Sequence, residues 1–213
     1  MHESKMNRER LLAICCALAT MSIIVSNIIT TKQLNFFGLA LPAGSILIPV
    51  DYVIGDLVAE VYGFRTARRV ITLAFVMNAL AVAFFMLALA LPAYPTFTAQ
   101  ASFEAVLGTT PRVLLASLTA FIVGSLSNAK IMQIMHARDG ENKLALRCIL
   151  STLVGEALDM TIFGTLAFAG VLPAAVVFQM IWLNTLVKVG IECVLYAVAT
   201  RHIIGWAKVM PAR

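Results

Sequence analysis

Charged residues are scarce in this chain: they make up 13% of its 213 residues, whereas 61% are hydrophobic. Soluble domains carry about 25% charged and about 45–50% apolar residues. A water-soluble fold of this length cannot hide so much apolar surface, and the mean hydropathy of +0.91 agrees with that. The composition therefore excludes a soluble globular domain and predicts an integral membrane protein.

The motifs of several common chemistries are also absent. There is no GxxxxGK[ST] loop, so the chain is not expected to hydrolyse ATP itself. Neither HExxH nor GxSxG occurs, and the three histidines lie near a terminus or in a loop (His2, His136 and His202). The sequence also lacks a TVGYG-like selectivity filter, so nothing in it suggests a channel. We therefore expect no enzyme activity, no cofactor and no metal.

Six apolar stretches remain, each close to the roughly 20 residues that a helix needs to cross a bilayer. The loops between them are short, which predicts a single transmembrane domain over residues 1–213, all-α, with six transmembrane helices. The first stretch follows basic residues but lacks a clear cleavage site, so it is interpreted as a retained helix rather than a signal peptide. The predicted spans cover residues 11–31, 43–63, 69–91, 112–134, 146–170 and 174–200.

Basic residues are unevenly distributed among the loops. Twelve of the 16 Lys and Arg lie before the first span, after the sixth, or in the second–third and fourth–fifth loops. The opposite loops hold only Lys32 and Arg112, and Lys130 and Lys188 lie within apolar segments. Because basic loops face the cytoplasm, both termini are predicted to be cytoplasmic in a bacterial inner membrane. Orientation explains the net charge of +5, so no nucleic-acid partner is expected.

The second span carries charges that hydrocarbon would reject, namely Asp51, Asp56 and Glu60. Asp56 and Glu60 are four residues apart and share a helix face. Pro42 and Pro49 predict that this helix is broken, and broken helices expose backbone groups to substrates in transporters. A plainer alternative is that Asp56 and Glu60 lie near the cytoplasmic surface and only pair with an arginine of the following loop, Arg65, Arg68 or Arg69.

The fifth and sixth spans hold a second group of polar residues. Glu156 and Asp159 are three residues apart, and Asn184, Lys188 and Glu192 fall at i, i+4 and i+8. A buried lysine needs an acidic neighbour, and either carboxylate of the fifth span, or Glu192, is able to provide it. The simpler interpretation is a structural ion pair. Four ionisable groups exceed what one pair requires, however, and this excess predicts a polar cavity.

Isolated amides complete the polar set. Asn27, Asn78 and Asn128 lie in the first, third and fourth spans, where an amide often serves only to hydrogen-bond a neighbouring helix. That structural interpretation is preferred for Asn78. Asn27 and Asn128 are retained as candidate substrate contacts.

Longer stretches resemble the vitamin uptake and queuosine precursor transporter family. The segment IPVDYVIGDLVAEVYGFRTARRVI (48–71) is similar to its second-helix signature, with an acidic residue leading into a Glu-x-Tyr-Gly turn. TPRVLLASLTAFIVGSLSNAKIM (110–132) and RCILSTLVGEALDMTIFGTLAFAG (147–170) resemble its fourth and fifth helices, and Ser26-Asn27 also fits. Some members have Asp where this chain has Asn128.

The resemblance implies a six-helix inner-membrane importer of 7-cyano-7-deazaguanine and 7-aminomethyl-7-deazaguanine, precursors of queuosine. A carboxylate suits the adjacent N–H and amine of such a purine-like base, an amide or Lys188 suits its carbonyl, and Phe side chains or Trp182 suit its ring face. Alternating access is the expected mechanism, with membrane lipids as surroundings and a homo-oligomer left open. The candidate substrate contacts are Asp56, Glu156, Asp159, Asn184 and Lys188, followed by Glu60, Asn27 and Asn128.

Two alternatives stay open at this point. The first is the substrate-binding membrane component of a multi-subunit vitamin importer with separate ATPase subunits. The second is a non-transporting membrane scaffold, in which the polar seams only hold helices together.

Overall fold

The computed structural model describes residues 8–139, 144–195 and 201–208, and the side chains of Glu60 and Asn128 lie outside what it describes. Helices dominate the described chain, with one β-hairpin between the first two. The helices are α1 (Arg8–Ile29), α2 (Ile48–Tyr62), α3 (Phe64–Ala90), α4 (Gln100–Leu107), α5 (Thr110–Asp139), α6 (Leu144–Phe168), α7 (Ala174–Leu195) and α8 (Arg201–Lys208). The strands are β1 (Gln33–Phe36) and β2 (Leu39–Pro42), and a 3-10 segment covers Ala43–Leu47.

The hairpin is a local feature that the all-α prediction does not contain. β1 and β2 pair antiparallel with Phe36 opposite Leu39, so only Phe37 and Gly38 form the turn. Both turn residues have positive φ, 51° and 83°, as a two-residue hairpin requires. The side chain of Asn35 supports the turn by accepting a hydrogen bond from the Gly38 N–H at 2.7 Å.

The second predicted span divides into two parts. Residues 43–47 form the 3-10 segment and α2 begins only at Ile48, so the predicted break lies near the start of the span. Pro49 falls in the first turn of α2, where its missing N–H costs no helical hydrogen bond. Gly44 brings the 3-10 segment against α1, because a Cβ there would lie 2.6 Å from Ser26 Oγ.

Tight connections fold the long helices back on one another. A single residue, Gly63, separates α2 from α3, and its φ of 83° is a conformation that glycine adopts without strain. Pro173 lies between α6 and α7. The Arg112 side chain of α5 donates to the carbonyls of Leu166 at 2.6 Å and Ala169 at 2.5 Å, and so caps the end of α6.

The surface of the described chain is that of a membrane protein. Four segments are long and apolar enough to cross a bilayer: Arg8–Ile29, Arg65–Ala90, Gln100–Ser127 and Ala174–Leu195. Large apolar side chains lie on the outside of these helices, such as Val76, Leu115 and Leu186, which are 58%, 64% and 63% exposed. A soluble protein rarely shows such a surface, whereas lipid covers it without cost. The helices therefore form an all-α membrane protein.

Candidate functional site: a polar cavity between the helices

A cavity of about 440 Å³ lies between the long helices. Its described wall includes residues of α1, the 3-10 segment, α2, α3, α5, α6 and α7, so almost every long element contributes to it. Binding sites for small molecules usually have volumes of roughly 300–1,000 Å³. The cavity is therefore large enough for a ligand, and it lies between the helices with one side open.

Lys188 of α7 is held by two carboxylates of α6. Its Nζ lies 2.8 Å from Oδ2 of Asp159 and 2.9 Å from Oε2 of Glu156. The three side chains are only 17–19% exposed. Glu156 and Asp159 reach the same ammonium because residues three apart lie on one face of a helix. The sequence left open which acid pairs with Lys188. The partners are Glu156 and Asp159, since Glu192 makes no ion pair with Lys188 within 4 Å.

Tyr52 of α2 also contacts this cluster and lines the cavity. Its hydroxyl donates a hydrogen bond to Oε1 of Glu156 at 3.0 Å. Glu156 therefore has one oxygen facing Lys188 and the other facing Tyr52. Because the contact links residues 104 positions apart, it ties α2 to α6 across the site.

A second polar contact joins the 3-10 segment to α7. The Ser45 hydroxyl donates to Oδ1 of Asn184 at 2.9 Å, and Nδ2 of Asn184 lies 3.0 Å from the sulfur of Met160. Ser45 and Asn184 are both buried. The amide of Asn184 is thus oriented by its neighbours, one helical turn from Lys188.

Helix α1 supplies a polar wall that has spare hydrogen-bonding capacity. Asn27 lines the cavity and is only 5% exposed, yet its Nδ2 has no hydrogen-bond partner. Ser22 is fully buried and lies beside the carboxylate of Asp51. A buried donor without a partner costs free energy, so the Asn27 amide is a position where a ligand would be stabilised.

The structure places most of the predicted site residues around this one cavity. Those that line it are Asn27, Asp56, Glu156, Asp159, Asn184 and Lys188. The side chains of Glu60 and Asn128 lie outside the described residues, so those two candidates stay predictions.

Other wall residues were not selected as substrate contacts from the sequence. Asp51 and Glu192 were recognised as charges in apolar spans, but Ser45 and Tyr52 were not singled out. Tyr52 precedes Asp56 by four residues and therefore lies on the same helix face, which is a pattern that predicts a place in the site. No such pattern predicts Ser45, because its position depends on the 3-10 segment.

The aromatic prediction needs one correction. Phe75, Phe121 and Phe163 line the cavity, but Trp182 does not. Trp182 is 54% exposed and packs against Phe178 at a ring-centroid distance of 6.3 Å. It lies two residues from Asn184, about 200° round an ideal helix, and therefore points away from the polar face.

Possible metal ligands are not grouped in the part of the chain that the structure describes. No set of three or more His, Cys, Asp or Glu there is placed to hold an ion. The carboxylates of Glu156 and Asp159 on α6 approach each other, but the ammonium of Lys188 lies between them, in the place that a metal ion held by both carboxylates would have to occupy.

Apolar membrane-crossing helices around a cavity with charged side chains in its wall are an arrangement found in membrane transport proteins, and comparison with known proteins agrees. The family model described as "Putative vitamin uptake transporter" matches residues 42–201, and the chain belongs to that family. A "Probable queuosine precursor transporter" of Bacillus subtilis (strain 168) is 29% identical over 186 residues, which cover 85% of this chain and 80% of the relative. No solved structure matches the chain. The family predicted from the sequence is thus confirmed.

Proposed function

We propose that this protein imports the queuosine precursors 7-cyano-7-deazaguanine and 7-aminomethyl-7-deazaguanine across the inner membrane. The observation that carries the proposal is the cluster of Lys188, Glu156 and Asp159 in the wall of the cavity between the helices. The printed name of the Bacillus subtilis relative supports the choice of substrate.

The wall contains the groups that a deazaguanine requires. A carboxylate of α6 accepts from the adjacent ring N–H and exocyclic amine, which together form a bidentate pair. Lys188 or the unpartnered amide of Asn27 donates to the ring carbonyl. Phe75 and Phe163 supply apolar faces for the ring. A ligand without these polar edges leaves buried groups unpaired, which is a strong basis for discrimination.

The proposed topology has six transmembrane helices with both termini in the cytoplasm. Four segments are apolar enough by composition to cross the membrane. In the proposed topology, α2 and α6 are the two further spans. The 15 residues of α2 rise about 22 Å, and the 5 residues of the 3-10 segment add about 10 Å. Together they match a hydrocarbon core of about 30 Å. The described acidic side chains of both helices, Asp51, Asp56, Glu156 and Asp159, line the cavity.

The transport mechanism in this proposal is alternating access about a single mid-membrane site. Substrate enters from the outside, replaces part of the Lys188 ion pairing, and leaves towards the cytoplasm when the helices rearrange. Uptake by the chain alone distinguishes this carrier from the substrate-binding component of an ATPase-driven importer.

The substrate assignment is tested in a bacterium that makes queuosine only from imported precursor. Expression of this chain should restore the modified nucleoside in tRNA, and a Lys188→Met variant should not. Confirmed membrane expression without any modified tRNA would contradict the assignment. Uptake into vesicles that contain only the purified chain would exclude a requirement for ATPase subunits.

The topology is tested separately by labelling with a membrane-impermeant maleimide. In a background without the native cysteines, Lys32→Cys should react from outside in intact spheroplasts. Arg68→Cys should react only after the membrane is permeabilised. The reverse pattern would invert the orientation, and labelling of both from outside would contradict the six-span arrangement.

A further inference from the structure

Negative charge predominates in the described wall of the cavity. The wall holds five carboxylic acids and one amine, and neither arginine nor histidine occurs among its described residues. The acids are Asp51, Asp56, Glu156, Asp159 and Glu192, and the amine is Lys188. With every group ionised, Asp51, Glu156, Asp159 and Glu192 carry four negative charges against the one positive charge of Lys188. They leave a formal charge of −3 before Asp56, which has an interaction of its own, is counted. Such an excess is costly in a low-dielectric interior unless something positive offsets it.

The one lysine of the described wall does not offset the imbalance, because Glu156 and Asp159 already hold it at 2.9 and 2.8 Å. Among the described residues, neither Asp51 nor Glu192 has a basic side chain within 4 Å. Asp51 is an exposed residue of the cavity wall, and Glu192 is partly buried. These two carboxylates, on α2 and α7, therefore remain available to a positively charged group of a ligand.

A separate observation indicates that a polar ligand completes this cavity. Nδ2 of Asn27 is a donor on a side chain that is 5% exposed, and no protein acceptor reaches it. It belongs to the same cavity wall as Asp51. A ligand that offers an acceptor to Asn27 and a cation to the carboxylates would satisfy both needs at once.

Resting on the proposed function, we propose that the cavity selects a planar, hydrogen-bonding ligand that carries a protonated amine, with Asp51 and Glu192 providing the selectivity. Of the two precursors, only the aminomethyl compound has such an amine, because an alkylamine is protonated at neutral pH as lysine is. The nitrile of the cyano compound is neutral. The cavity is therefore expected to bind 7-aminomethyl-7-deazaguanine in preference to 7-cyano-7-deazaguanine.

The test compares the affinities of the purified protein for the two compounds by titration calorimetry. The wild-type protein should bind the aminomethyl compound at least about tenfold more tightly, as expected for a hydrogen bond between charged groups. Asp51→Asn and Glu192→Gln should each lower this ratio severalfold, because they weaken binding of the aminomethyl compound more than binding of the cyano compound. Glu104→Gln is the matched control, since Glu104 lies in α4 outside the cavity.

The possible results test the selectivity for the aminomethyl compound separately from the proposed import of deazaguanines. A wild-type ratio near one, or a ratio that neither variant changes, would overturn the inference, because the excess charge would then be neutralised by protons rather than by the ligand. The import of deazaguanines would still stand in that case. If the folded wild-type protein bound neither compound, the proposed function itself would fail. Thermal unfolding without ligand checks that both variants are folded.

Discussion

The ammonium of Lys188 lies 2.8 Å from Oδ2 of Asp159, and this contact joins α7 to α6 at the cavity wall. A buried ion pair contributes little net stability, because desolvation offsets most of the Coulombic attraction. Its removal from one side is costly all the same, since the other side is left buried and charged. The cluster is thus sensitive to single changes, which makes it a good test of the site.

Replacement of Lys188 by Met should abolish uptake, because Glu156 and Asp159 are left facing each other without a cation. We expect a loss of up to about 3–5 kcal/mol in unfolding free energy, seen as a lower unfolding temperature in detergent. Lys32→Met is the control, since Lys32 is exposed and outside the cavity, and it should leave both uptake and unfolding nearly unchanged.

Lys188→Arg keeps the positive charge but replaces a compact ammonium by a planar fork. This variant should remain folded and yet transport poorly, because the guanidinium does not fit the geometry that the ammonium has between the two carboxylates. Normal uptake by both Lys188 variants would show that the cluster is only structural.

Replacement of Asp159 by Asn tests the carboxylates of the same cluster. Lys188 keeps Glu156 at 2.9 Å, so the variant should fold. It should lose uptake, however, because the amide has one acceptor oxygen and one NH₂ donor, whereas a carboxylate has the two acceptor oxygens that a bidentate pair with the base requires. Measured uptake with confirmed membrane insertion decides the matter, and wild-type rates would exclude Asp159 as a substrate contact.

Removal of the Tyr52 hydroxyl should have a moderate effect. Tyr52→Phe deletes the donor to Glu156 at 3.0 Å and little else. A neutral donor to a charged acceptor is worth about 1.5–3 kcal/mol, so we expect a tenfold or larger loss in substrate affinity if Glu156 contacts the ligand. Tyr94→Phe is the matched control, because Tyr94 is 75% exposed and outside the cavity. Equal losses in the two variants would refute a role for the hydroxyl.

Much of this architecture could be predicted from the sequence, for a physical reason. A helix that faces hydrocarbon along most of its surface must be long and apolar, so composition alone identifies spans such as residues 69–91, which correspond to α3 (Phe64–Ala90). The cost of burying charge likewise directs attention to Lys188 and its neighbours. Both inferences depend on the properties of the lipid bilayer and not on how the helices pack against one another.

Other features depend on tertiary contacts that no local pattern records. Lys188 had three acids within reach, and only the packing of α6 against α7 selects Glu156 and Asp159 over Glu192. Ser45 enters the site because the hairpin and the 3-10 segment carry it to Asn184, 139 residues along the chain. Such long-range pairs are set by the fold and not by periodicity.

The contact between Ser45 and Asn184 gives a further prediction. Ser45→Ala removes the donor at 2.9 Å and leaves Oδ1 of a buried amide unpaired. We expect a loss of about 1–3 kcal/mol in unfolding free energy and a weaker affinity for substrate. Ser102→Ala, at an exposed position of α4, should change neither quantity. Full stability in the Ser45 variant would indicate that Asn184 is satisfied in another way.

A glycine sets the distance between α5 and the ion-pair cluster. A Cβ at Gly124 would lie 2.9 Å from Cβ of Asp159 and 3.0 Å from the carbonyl oxygen of Gly155, so Gly124→Ala must separate the two helices. We expect about 1–3 kcal/mol of destabilisation from overpacking, together with lower uptake because Asp159 is displaced from Lys188. Gly190→Ala is the matched control, since a Cβ there meets nothing within 4 Å and alanine favours the helix. In the Gly190 control, the unfolding temperature should therefore be unchanged or higher, and the uptake rate should be unchanged. A Gly124 variant as stable and active as the wild-type protein would contradict the close packing of α5 on the site.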